Sequence, residues 1–296
     1  MRLKARLAGG LTDLVRRAPR WTTEPLALGL GGLLCLTHER RAARENLRRV
    51  FPEWPRRRRG RVLVAAYRQM ARGVIEFIHT PDYTDEEIRD RVTLRNLEAL
   101  ERAHAEGRGV ILLSGHFGNW EWLARRVAAA GYPFAVLFKA PREPVLAARL
   151  RSTRAAGGIE QIDHDDMRSA LKWLRRGGVL GIVMDQEPRQ AADGVVAPLF
   201  GQPTMTHTGP FRLARLTGVP VLTFFSRRVG RGRYGSELVP FPLSPVPDAE
   251  AAIAEDAAAF NARLEAAVRR DPDHWLWMYR RWGRLARWQQ AAAVSA

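Results

Sequence analysis

The stretch Gly109–Trp122, GVILLSGHFGNWEW, constrains this chain more than any other. Val110-Ile111-Leu112-Leu113 is a short apolar run rich in β-formers, which predicts a buried strand. Ser114-Gly115 breaks the run and His116 follows. Gly118-Asn119 signals a helix start, and a helical pattern continues through Arg126. The order strand, turn, helix sets an imidazole at the carboxyl end of the strand, where open α/β sheets hold their ligands.

Glu121 lies within the same stretch. Inside one continuous helix, its spacing from His116 would put the two side chains about 140° apart. With His116 in the turn and Glu121 in the first helical turn, the carboxylate reaches back to one ring nitrogen. That fixes the tautomer and leaves the other nitrogen as a general base. The bare spacing equally suits a core histidine with an unrelated surface glutamate. Phe117, Trp120 and Trp122 favour the functional pair, because they crowd bulky rings around it.

These residues resemble the catalytic block of the bacterial lipid A late acyltransferases, the lauroyl and myristoyl transferases. That family sits in the glycerolipid acyltransferase superfamily, whose motif is His-x-x-x-x-Asp/Glu. The likeness runs from about Pro25 to Trp282. It includes Arg44-Glu45-Asn46-Leu47, Phe51-Pro52-Glu53, Phe138-Lys139-Ala140-Pro141 and Met184-Asp185-Gln186. Further on come Pro198-Leu199-Phe200-Gly201, Thr217-Gly218-Val219-Pro220-Val221 and Trp277-Met278-Tyr279-Arg280-Arg281-Trp282. Two departures stand out: many relatives have Arg where Lys139 stands, and many have a fuller apolar anchor at the N-terminus.

The resemblance implies an O-acyltransferase with His116, Glu121 and Asp185 in the catalytic site and Lys139 as a substrate contact. Arg142 and Arg154, basic residues just past the second strand, and Asn119 at the helix start are further candidate substrate contacts, with a solvated surface role as the alternative for the two arginines. The acceptor would be a glycolipid, a lipid A precursor first, with a phosphatidylinositol mannoside or a lysolipid as alternatives. The donor would be acyl-acyl carrier protein or acyl-CoA, with no cofactor and no metal. Backbone N–H groups near Gly115–Asn119, or a nearby basic side chain, would take the oxyanion. The implied fold is a mixed, largely parallel sheet flanked by helices, glycerol-3-phosphate acyltransferase-like, over residues 81–296. Residues 1–80 would form a helical membrane-associating region. The setting would be the cytoplasmic face of the inner membrane, with the protein attached peripherally.

Charge agrees with such company. The chain has 48 Lys and Arg against 31 Asp and Glu, a net +17, which suits an anionic membrane, a phosphorylated glycolipid or an acidic carrier protein. A nucleic-acid partner is not expected: basic and aromatic residues interleave at Trp275–Arg284, but no nucleic-acid module is readable and the charge is dispersed. A hydrolase using the same histidine on water stays open. Ser114 lacks a G-x-S-x-G setting, because Leu112 precedes it by two. The one cysteine, Cys35, reads as a small hydrophobe.

Taken in order, Pro25–Thr37 carries no charge but falls short of the roughly 20 residues a spanning helix needs, so it predicts an interfacial or a buried helix. Pro55–Gly60 reads as a basic loop, solvated or leaning on phospholipid headgroups, and Leu63, Tyr67, Met70, Val74 and Phe77 as one face of a helix. Helices are expected from Thr84 and through Leu94–Leu100, strands at Phe134–Phe138, Val179–Met184 and Pro220–Phe225, and an antiparallel edge strand over Tyr234–Phe241. His164-Asp165-Asp166 suits a cap for a helix through Met167–Leu174 better than a metal site. Gly194–Thr208 reads as a connecting loop or, as the resemblance implies, a segment bordering the substrate site. A last helix runs through Ile253–Val268 behind Asp248, and the aromatic tail from Trp275 predicts either core packing or interface anchoring.

Overall fold

A computed structural model describes residues 10, 12–141 and 143–285. Its centre is a six-stranded sheet. The strands are β2 (Val110–Ser114), β3 (Phe134–Phe138), β4 (Ile159–Asp163), β5 (Val179–Val183), β8 (Val221–Thr223) and β11 (Val239–Pro240), in the order β11-β8-β2-β5-β3-β4. All neighbours are parallel except β11, which pairs antiparallel with β8. Every residue of β2 is buried, because helices cover both faces of the sheet.

The two faces are distinct. Ile111 and Leu113 pack in a cluster with Phe211, Phe260, Leu264, Trp275 and Trp277. Val110 and Leu112, on alternate positions, pack with Leu100, Trp122, Leu123 and Val127. The first face draws on helix α10 (Ala249–Arg270) and the second on α6 (Trp120–Ala128).

Three N-terminal helices join the first face. These are α1 (Thr23–Leu34), α2 (Arg40–Val50) and α3 (Arg56–Ile78), and Leu47, Phe51, Leu63 and Tyr67 share a cluster with Ile111 and Leu113. α1 buries only Ala27 and Gly31, against α3, where a Cβ on Gly31 would stand 2.7 Å from the Arg68 Cα. Leu33 and Leu36 stay 66% and 74% exposed. No helix among the described residues is long and apolar enough to cross a membrane. The arginine run is no loop: Arg56 begins α3, Arg58 stacks on Trp54 at 3.9 Å, and Arg59 donates to the carbonyls of Phe51 and Pro52 just past α2.

Further segments differ from expectation, among them Ile159–Asp163, a strand that was not expected. Val92–Arg95 is a strand (β1), not helix: α4 (Asp85–Arg91) stops short of it, and Val92 and Leu94 alternate inward. It pairs with β10 (Arg233–Glu237), which pairs with β9 (Arg227–Gly230), in a separate three-stranded sheet. The expected single edge strand is therefore split between two sheets. Gly194–Thr208 is mostly a hairpin, β6 (Gly194–Leu199) and β7 (Gln202–His207), whose turn residues Phe200 and Gly201 both have positive φ. Two further helices used below are α7 (Pro144–Ala156) and α8 (Met167–Arg175).

Candidate active site

The carboxyl ends of the parallel strands converge on one edge. β2 delivers His116, β5 delivers Asp185, β3 delivers Lys139 and β4 delivers His164. The loop from Ser114 to Asn119 depends on two glycines. A Cβ on Gly115 would crowd the Asp185 side chain at 3.3 Å, so glycine lets that carboxylate approach. Gly118 has φ +61°, and a Cβ there would stand 2.0 Å from the Ser226 carbonyl oxygen.

His116 Nδ1 lies 2.7 Å from Asp185 Oδ1. A carboxylate only accepts, so the ring proton sits on Nδ1 and the Nε2 lone pair is free for a substrate. Asp185 is 3% exposed, and its Oδ2 accepts from Trp275 Nε1 at 2.8 Å. Trp275 is fixed in turn: it bridges to Phe117 along the backbone, and Leu276 N donates to the His116 carbonyl. The Trp120 ring meets the imidazole edge to face at 4.9 Å. Burial alone would lower the His116 pKa, but the Asp185 charge and hydrogen bond, helped by the Glu121 charge, carry it above its ordinary value. Burial would raise Asp185, yet the imidazole and the Trp275 donor hold it below the usual carboxylate range.

The hydrogen bond expected from Glu121 to the ring is made by Asp185 instead. Glu121 does occupy the first turn of α6, but it forms a two-pronged pair with Arg154 of α7, Nη2 to Oε1 at 2.7 Å and Nε to Oε2 at 3.1 Å. Both side chains are mostly buried, and a guanidinium fork matches a carboxylate better than an imidazole edge does. Arg154 lies 4.5 Å over the Phe138 ring, and its Nη1 is a buried donor with no partner among the described residues.

The other expected contacts have mixed settings. Lys139 Nζ lies 2.9 Å from His164 Nε2. Asn119 is spent on architecture: Oδ1 caps Trp122 N at 3.0 Å, and Nδ2 donates to buried Glu76 at 2.9 Å. Arg142 lies outside the described residues. Three N–H groups of the backbone cradle are occupied: Phe117 N donates to the Gly115 carbonyl, Gly118 N to the His274 carbonyl and Asn119 N to Ser226 Oγ. Asp166 caps α8 through Ser169 N at 3.0 Å, as expected of this segment. Asp163, His164 and Asp165 each bring one potential ligand atom within 4.8 Å of the others, but His164 Nε2 accepts from the Lys139 ammonium, so the ring proton sits on Nδ1, the nitrogen 3.3 and 3.1 Å from the two carboxylates.

Sequence reasoning missed the role of Trp275, whose ring it left between core packing and interface anchoring. Trp275 is 3% and Trp277 0% exposed, so these rings are core. Arg281, 1% exposed, supports the same segment by donating to Thr204 Oγ1 and the Met205 carbonyl, both at 2.7 Å. The tail's alternating tryptophans and arginines were the only hint.

A family model described as bacterial lipid A biosynthesis acyltransferase matches residues 7–284. The chain is 27% identical to the lipid A biosynthesis lauroyltransferase of Escherichia coli (strain K12), over 92% of this chain and 89% of that protein. It is 25% identical to the lipid A biosynthesis palmitoleoyltransferase of the same organism, over 81% and 77%. A phosphatidylinositol mannoside acyltransferase of Mycobacterium tuberculosis is 28% identical over 51% of this chain and 48% of its own length.

Proposed function

The chain belongs to the bacterial lipid A biosynthesis acyltransferases, and from that premise we propose that it moves a fatty acyl group from a thioester to a glycolipid hydroxyl, with His116 as the base. The observation that carries the assignment of the base is the 2.7 Å contact between His116 Nδ1 and buried Asp185, itself pinned by Trp275. His116 Nε2 takes the hydroxyl proton as the oxygen attacks the thioester carbonyl. The tetrahedral intermediate collapses, the C–S bond breaks, and the leaving thiolate takes the proton back from Nε2. The products are an ester and a free thiol, with no covalent acyl-enzyme.

Oxyanion charge falls to side chains in this reading, since the N–H groups of Phe117, Gly118 and Asn119 are engaged. Arg154, with its unpartnered Nη1, is the suited donor, and Glu121 holds it in place. Lys139 is the second cation, at the end of β3. The donor is acyl-acyl carrier protein or acyl-CoA and the acceptor a lipid A precursor. The mannoside relative keeps phosphatidylinositol mannoside as the alternative acceptor. Exposed Leu33 on α1 and Leu36 just beyond its end suit peripheral attachment to the membrane.

The test offers lauroyl- and myristoyl-acyl carrier protein to the purified protein and to His116→Ala. The acceptors are a lipid A precursor, a mannosylated phosphatidylinositol and a lysophospholipid. Transfer to the lipid A precursor, lost in the variant, is the expected result. Transfer that survives in His116→Ala removes the base from the scheme.

A further inference from the structure

α3 carries more positive charge than its surroundings neutralise. Arg57, Arg61 and Arg68 are exposed, and none of them pairs with a carboxylate among the described residues. They flank a shallow groove floored by Gly60, Val64 and Ala65. At Ala65 and Arg68 this groove runs into a second, more polar cleft of about 480 Å³, bounded by Arg72, Arg228 and His274. The His274 ring stacks on Phe117, the residue after His116, with centroids 5.5 Å apart. One ring, His274, thus stands between the cleft and the catalytic loop.

The wall holds donors that have no acceptor. Gln69 is 4% exposed, and its Oε1 accepts from Arg72 Nη1 at 3.2 Å. That contact sets the amide orientation and leaves Nε2 as a donor without a partner. Arg228 Nε is likewise buried and unpartnered. Buried donors are nearly always satisfied in folded proteins, so two orphans in one cleft wall call for an acceptor. Arg72 and Arg228 share one carboxylate, Glu24, and Arg68 has none. Asp273, the acid in the cleft lining, is held by the His274 ring at 3.0 Å.

We propose that this cleft is a phosphate-binding site, separate from the acyl-transfer centre, and that the phosphate it takes belongs to a lipid headgroup. Guanidinium groups and an amide N–H are the donors a tetrahedral oxyanion needs. The lipid source follows from α1, whose backbone packs on Arg68 at Gly31 and which then exposes Leu33 and, just beyond its end, Leu36. Acyl chains would meet those side chains while the headgroup enters the cleft. This assignment rests on reading the chain as an enzyme of lipid substrates, but its test reads binding and is blind to acyl transfer.

The experiment is vesicle flotation of the full chain with neutral phosphatidylcholine vesicles and with vesicles containing phosphatidic acid, with inorganic phosphate as competitor. Wild type is compared with Arg68→Gln and Gln69→Glu, the second keeping shape while replacing a donor by a negative acceptor. The expected result is about a fivefold loss of affinity for the phosphatidic acid vesicles with Arg68→Gln, and more with Gln69→Glu, at unchanged binding to neutral vesicles and an unchanged melting temperature. Wild-type affinity in both variants overturns the site. Variants that lose inorganic phosphate but keep the vesicles overturn the lipid source in favour of a soluble phosphate. Variants that keep the vesicles but lose an immobilised acyl carrier protein overturn it in favour of a protein surface.

Discussion

Asp185→Asn is the substitution that tests the site most sharply, because Trp275 decides how the new amide must sit. Trp275 Nε1 donates to Oδ2 at 2.8 Å from a buried position, so the amide oxygen stays there and the NH₂ turns toward His116. Nδ1 must then accept, the ring proton moves to Nε2, and the base is blocked. Recovering the active tautomer means flipping the amide and stranding a buried indole N–H, at about 1–3 kcal/mol. The imidazolium formed during transfer also loses a charge-assisted hydrogen bond of about 1.5–3 kcal/mol. Together the two terms predict a fall in kcat of roughly 10²–10⁴-fold. Adding Trp275→Phe frees the amide to present its oxygen to Nδ1. The double variant should therefore transfer roughly tenfold faster than Asp185→Asn alone, by the first of those terms. The assay is acyl transfer under saturating donor, with a melting curve to show that each variant is folded.

The pH profile follows with its sign. In wild type the base works only when deprotonated, and the Asp185 charge holds the His116 pKa above its ordinary 6.5, so the acid limb of kcat lies above that value. In Asp185→Asn burial dominates and the limb moves down. If Asp185→Asn keeps more than a tenth of wild-type kcat, or the double variant is slower still, then the tautomer argument is wrong.

Glu121→Gln separates the two carboxylates. If Glu121 acts through Arg154, its loss should weaken transfer while moving the acid limb far less than Asp185→Asn does; an equal shift of the limb would return Glu121 to the ring. Arg154→Ala should also cost about 3–5 kcal/mol in denaturant unfolding, since it leaves a mostly buried carboxylate unpaired. Glu76, which accepts from Asn119 Nδ2 and from Tyr234 OH, is raised by burial to about 7 despite those bonds. A carboxyl with a raised folded pKa gives stability that is complete below its unfolded value of 4.5 and lost as pH rises through about 7. Wild type should therefore lose stability relative to Glu76→Gln between pH 5 and 8, by up to about 3 kcal/mol in urea titrations; parallel pH curves for the two proteins would contradict the buried-carboxyl reading.

Local patterns in the chain were enough for much of this. The apolar run before His116 specified a buried strand, and Gly118-Asn119 specified the helix start, because both depend on periodicity and cap chemistry within a few residues. Gly218 and Asp248 marked helix ends for the same reason. Segments whose conformation depends on a distant partner were not legible. Val92–Arg95 is a strand because Tyr234 and its neighbours pair with it, and nothing near Leu94 announces that. The hairpin at Phe200-Gly201 was hidden because a non-glycine residue takes the first positive φ.

The site divides along the same line. Sequence alone set the imidazole at a strand end and supplied acidic and basic residues near it, and the ordered blocks from Arg44 to Trp282 pointed to the family. Which carboxylate faces the ring was decided by the fold. β5 lies beside β2, so Asp185 arrives next to His116 from far along the chain, while Glu121, its near neighbour in sequence, is drawn to Arg154. The physical reason is that hydrogen bonds reach about 3 Å, and only packing determines which groups come that close.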